Sequence, residues 1–158
     1  MKACFEHLTK RKFFKATIYP VELFERRVQE EIARSDENND SFVYTEIEFD
    51  MIKENIVSEQ DRKLFLLAVL QCLQFDMRSS DSIGLLPDDK GFVVLMPESH
   101  GVYAWKRLQL AFGNRIADRP DFVKLFKEKI QPIVYPTCLK QPEPAAQEPQ
   151  EQKPQESL

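Results

Sequence analysis

The sequence predicts an α+β fold, one antiparallel sheet with helices packed on one face, and three observations carry that prediction. Residues 42–49 alternate, with Val43, Thr45, Ile47 and Phe49 on one side and Phe42, Tyr44, Glu46 and Glu48 on the other, which is the period of a strand. Ser58, Glu59 and Asp61 open a helix that is apolar over 64–70 and again at Cys72, Leu73, Phe75 and Met77, so it needs cover on several sides. Residues 81–86 and 92–96 are two strands joined through Pro87, Asp88, Asp89, Lys90 and Gly91, a β-hairpin with an acidic turn.

The remaining elements fall around these three. Pro20 suits a first helical turn, and Phe24, Val28 and Ile32 follow at spacing four, so a helix runs from 21 to about 35 and ends in the polar run 35–41. Ser99 starts another helix, on which Val102, Trp105, Leu108 and Phe112 share a face and which stops near Gly113 and Asn114. Residues 121–129 are ambiguous between helix and strand. A last strand covers 130–135, and Pro132 puts it at an edge. The order helix, strand, helix, hairpin, helix, strand is that of a ferredoxin-like sheet.

At 158 residues and 42% apolar content the chain is long enough for one domain with a real core. Lys2, Lys10, Arg11, Lys12 and Lys15 mark 1–17 as a basic N-terminal segment, the folded domain occupies 18–137, and 138–158 is a Pro/Gln/Glu-rich tail too polar to order itself. There is no internal repeat. No window approaches the ~18 apolar residues of a membrane span, and no apolar stretch follows the N-terminal cations, so the expected location is the cytoplasm.

Scarcity excludes several chemistries. Gly84, Gly91, Gly101 and Gly113 are too widely spaced for a Walker loop or a GxGxxG turn. His7, His100, Cys4, Cys72 and Cys138 fall into no zinc spacing, and three scattered thiols read as reduced. A net charge of −4 gives no general reason to expect nucleic acid.

The segment Arg78, Ser79, Ser80, Asp81, the following IGLLPDDKGFVVLMPES and the helix with Ala104 resemble the centre of the diguanylate cyclase, or GGDEF, family. There an RxxD segment leads into a strand, the signature sits on the hairpin turn, and an apolar strand ending in Leu-Pro follows. FERRVQEEIARS and VYTEIEFD resemble the family's first helix and first strand, so the resemblance covers most of 18–136 and implies a nucleotidyl-cyclase-like sheet.

The resemblance also implies a loss. Counted back from Phe92, the signature positions are Asp88, Asp89, Lys90 and Gly91: the family's two glycines have become aspartates, and its paired acids a lysine and a glycine. Side chains at 88 and 89 would crowd a nucleotide, and Lys90 would put a cation where Mg²⁺ belongs. DMIKENIVSEQD likewise lacks the family's guanine-recognising segment. Glu46 and Glu48 stand as vestigial metal positions, to which Asp88 or Asp89 on a shifted turn would add a third oxygen. Arg78 and Asp81 match the motif that binds cyclic di-GMP in active members, apart from one extra residue before the turn. The arginine fork would donate to a phosphate or a guanine edge; alternatively Asp81 caps the helix-to-strand turn and Arg78 pairs with it locally.

The function implied is a catalytically inactive GGDEF-like regulatory or scaffold domain of bacterial signalling. It would act through a protein partner or self-association, without nucleic acid, membrane, metal or cofactor. A cyclic di-GMP receptor using Arg78 and Asp81, and an active nucleotide cyclase with a shifted metal site, are the alternatives. Only twenty residues precede the helix at 21, so the signal is expected through a separate partner, and the apolar helix at 64–77 suggests a self-associating or partner-covered face. Trp105 reads as core, Cys72 as a small hydrophobe, His100 as a helix start, and the tail as a spacer.

Overall fold

A computed structural model describes residues 1–10, 16–97 and 102–136. In chain order the elements are α1 (Lys2–Lys10), β1 (Thr17–Tyr19), α2 (Val21–Asn38), β2 (Phe42–Glu48), α3 (Phe49–Asn55), α4 (Glu59–Asp76), β3 (Ser82–Leu85), β4 (Gly91–Met96), α5 (Val102–Arg115), α6 (Pro120–Lys129) and β5 (Ile133–Tyr135). The tail at 138–158, and Ser99, His100 and Gly101, lie outside the described residues.

The sheet runs β1-β3-β4-β2-β5, with β1 parallel to β3 and every other pair antiparallel. Removing β1 leaves β3-β4-β2-β5, the order of a ferredoxin-like sheet, and β1 extends it at the β3 edge. The expected α+β class holds, and β5 is an edge strand, starting after Pro132 rather than at Ile130.

One expectation is corrected: the helices do not all share a face. Val43, Ile47, Phe92, Val94 and Met96 point into the main core with α4, α5 and α6, whereas Phe42, Val93 and Leu95 pack under Phe24 of α2 on the opposite face. The reason lies in β4. All six of its residues are buried, and an unbroken apolar run in a central strand requires cover on both sides. Gly84 on β3 admits α2, because a Cβ there would sit 2.1 Å from Phe24 Cγ. On α2 the fully buried Glu31 is held by Arg27, at 3.0 Å, and by Arg34.

A second correction concerns 1–17. This segment is not merely a basic extension: Lys2–Lys10 is a helix, and its Phe5, 2% exposed, stacks on Phe92 at a centroid distance of 4.8 Å. Arg11, Lys12 and Lys15 fall outside the described residues. Smaller differences are also physical. Asn39, left-handed at φ 55, lets α2 run past residue 35 to Asn38. Phe49 leaves the strand to begin α3, α5 continues through Gly113 and Asn114 to Arg115, and 121–129 lie within α6.

α4 is the centre of the main core. Ser58 accepts from the Asp61 N–H at 3.3 Å and starts it. Phe65, Leu66, Val69, Leu70 and Leu73 are each at most 2% exposed. Burying a side chain of that size stabilises by roughly 1.5–3 kcal/mol. Trp105 is core as read, stacked on Phe126 at 5.5 Å, and Phe126 lies 4.4 Å from Phe112.

Candidate functional site

The candidate site is the β3–β4 hairpin with the strand beside it. Pro87–Asp89 forms a single 3₁₀ turn, closed by the Lys90 N–H donating to Pro87 O at 3.2 Å and the Leu86 N–H to Gly91 O at 3.0 Å. Asp88 and Asp89 both take φ 56, in the left-handed region that glycine enters freely and that costs other residues about 1–2 kcal/mol. Asparagine and aspartate tolerate it best among side-chain-bearing residues.

Gly91 is fixed by contact rather than by torsion. It pairs with Glu48 across the sheet, and a Cβ on it would lie 2.2 Å from Ile47 O. Glu46 pairs with Val93, so Glu46 and Glu48 share the α2 face of the sheet and are both exposed, as their spacing predicted. Phe92 points the other way, fully buried against Phe5 and Phe49.

Three acids of this region, Glu46, Asp88 and Asp89, are engaged by neighbours rather than gathered on one point. Tyr44 Oη donates to Glu46 Oε1 at 2.9 Å; burial, followed by the Glu46 carboxylate, raises the phenol's pKa well above its usual value. Lys2 Nζ lies 2.7 Å from Asp89 Oδ1, a contact that raises the lysine's pKa. Lys90 Nζ lies 3.7 Å from Asp88 Oδ2. Among the described residues no group of three His, Cys, Asp or Glu side chains is placed to hold a metal ion.

Arg78 and Asp81 sit at the junction of α4 and β3. The Asp81 carboxylate, only 2% exposed, accepts from the Arg78 backbone N–H at 2.7 Å, and the Asp81 N–H donates to Arg78 O at 3.2 Å. The pair is thus a capped turn, with the Arg78 side chain exposed. Desolvation pushes the Asp81 pKa up, opposed by the Arg78 N–H and by the charges of Arg107 and Arg78.

Sequence reading missed the α1 side of this site, although Met1, Cys4, Phe5 and Leu8 carry the i, i+3, i+4, i+7 spacing of an amphipathic helix. It also missed Arg119, which donates to Asp61 and Asp121 at 3.0 Å each and lies 3.7 Å above the Phe122 ring, tying α6 to the start of α4.

No family model matches the chain, and no curated protein matches it. Among solved structures, the diguanylate cyclase SiaD in complex with its activator SiaC from Pseudomonas aeruginosa is similar over 58% of this chain, at 16% identity and a TM-score of 0.42. The chain spans 37% of the length of that protein. No helix among the described residues is long and apolar enough to cross a membrane.

Proposed function

We propose that this chain is a GGDEF-like domain without cyclase activity, which works by binding protein as a regulatory or scaffold module in bacterial signalling. The observation that carries the reading is the occupied turn. Asp89 pairs with Lys2 and Asp88 faces Lys90 at the exposed tip, and the ring of Phe5 stacks on the buried Phe92, so the hairpin is tied at its tip and packed at its base. Mg²⁺ chemistry on a triphosphate needs convergent oxygen ligands and room for phosphate beside the backbone. Lys90 at the turn, and side chains at 88 and 89, work against both.

The same logic bears on Arg78 and Asp81. A receptor for cyclic di-GMP needs the carboxylate free to accept from guanine, and here it accepts from the Arg78 N–H inside the fold. Calorimetric titration with GTP, ATP and cyclic di-GMP in the presence of Mg²⁺, with chromatography of the products, tests the reading. The expected result is no turnover and no saturable heat. Conversion of a triphosphate to a cyclic product overturns it, and cyclic di-GMP binding that is lost in Arg78→Ala replaces it with the receptor.

A further inference from the structure

The greasiest helix of the chain is buried on three sides and open on the fourth. Along the outward side of α4, Gln60, Leu64, Leu67 and Gln71 follow at spacings of four, three and four, the seam spacing of paired helices, and Phe75 lies one turn further on. Leu64 is 41% and Phe75 56% exposed, with Leu67 and Gln71 half-buried. The seam from Leu64 to Phe75 is about 16 Å long at 1.5 Å per residue.

Its two ends differ in shape and in charge. At the N-terminal end, Leu64 and Leu67 form one wall of a groove of about 840 Å³ whose other wall is Met1, Cys4 and Leu8 of α1. At the C-terminal end Phe75 projects, with the Arg115 guanidinium 5.0 Å over its ring. Glu59, its side chain 77% exposed, sits at the groove end; the exposed Arg78 sits just past the Phe75 end, without an ion pair among the described residues. One end is a hole flanked by Glu59, which also pairs with Lys63 at 2.8 Å, and the other a knob flanked by a cation.

We propose that this face seats a second copy of the chain, α4 against α4, antiparallel about a two-fold axis at Val69. The proposal rests on reading the chain as a protein-binding module and names its partner. Counting from Val69, Phe75 of one copy lies opposite Lys63 and Leu64 of the other, at the mouth of the groove between α1 and α4. Leu67 faces Gln71, and Arg78 reaches Glu59 beside its Lys63 partner. An isologous interface makes every contact twice, so a knob and a hole at opposite ends of one helix are satisfied together. A parallel arrangement would set knob on knob and Arg78 on Arg78. Val69 itself is buried and takes no part.

Sedimentation velocity from low to high micromolar chain tests this. The wild type is expected to dimerise. Phe75→Ser, Glu59→Arg and Arg78→Glu, all at exposed positions, are each expected to weaken the dimer about tenfold or more, roughly 1.4 kcal/mol. The charge-swapped chain carrying both Glu59→Arg and Arg78→Glu is expected to recover most of the wild-type affinity, since both cross-pairs are restored with reversed sign. Thermal melts by circular dichroism confirm that each variant is folded. A chain that stays monomeric throughout, a dimer indifferent to Phe75→Ser, or a swapped chain as weak as its single parents overturns the proposal. Nucleotide turnover would overturn the reading of the hairpin and leave the dimer standing, whereas an inert monomer would overturn the dimer alone.

Discussion

Lys2 Nζ, on the first turn of α1, lies 2.7 Å from Asp89 Oδ1 at the tip of the β3–β4 hairpin, and one turn later Phe5 stacks on Phe92 at the hairpin's base. The helix therefore grips the hairpin twice, by an exposed ion pair and by a buried ring. The two contacts differ in weight. A solvent-exposed pair adds little and is screened by salt, while a buried phenylalanine carries its full transfer and packing energy. Phe5→Ala should cost about 3–5 kcal/mol in urea denaturation, and Lys2→Ala should produce only a small shift that vanishes at high salt. An unchanged midpoint for Phe5→Ala would show that α1 does not belong to the folded unit.

The hairpin turn offers a second check. Asp88 and Asp89 both hold φ 56, so Asp88→Gly should stabilise the protein by about 1 kcal/mol, read as a higher melting temperature. Asp89→Gly should gain less, because it also removes the contact with Lys2. Gly91→Ala should do the reverse. Its methyl would meet Ile47 O at 2.2 Å and force β4 from β2, a clash with backbone that no rotamer change relieves.

Asp81 makes stability depend on pH in a direction opposite to that of a salt-bridged acid. Its folded pKa lies above the unfolded value, chiefly through desolvation, so the native state binds the proton more tightly. The destabilisation is fully present above the folded pKa and is relieved as pH falls through that value towards the unfolded one. Asp81→Asn keeps an oxygen for the Arg78 N–H and removes the charge. The variant should therefore melt higher than wild type at neutral pH, and the difference should shrink on acidification. Asp81→Ala should melt lower throughout, since the turn loses its acceptor. A melting difference between Asn and wild type that does not vary with pH would refute the assignment.

Thr45 Oγ1 is buried against the main core with no hydrogen-bond partner among the described residues. An unsatisfied buried hydroxyl destabilises, and valine has nearly the same shape without the polar atom. Thr45→Val should raise the unfolding free energy by about 1 kcal/mol in denaturant titration, with an unchanged m-value. A loss instead of a gain would mean that the hydroxyl is satisfied by solvent.

What the sequence by itself determined is local. The two faces of β2 follow from alternation, the hairpin from its turn residues, α2 and α4 from spacing and the Ser58 cap, because each signal is read between residues a few positions apart. It also placed Glu46 and Glu48 on one strand face and 88–91 on the turn. Only the tertiary structure decided that the sheet is covered on both sides, that Phe24 needs a glycine at 84, that Phe5 belongs to the core, and that Asp89 answers to Lys2. Those contacts join residues far apart in the chain. Their energy comes from excluding water between particular surfaces, and no periodicity along a strand or helix states which surface will arrive.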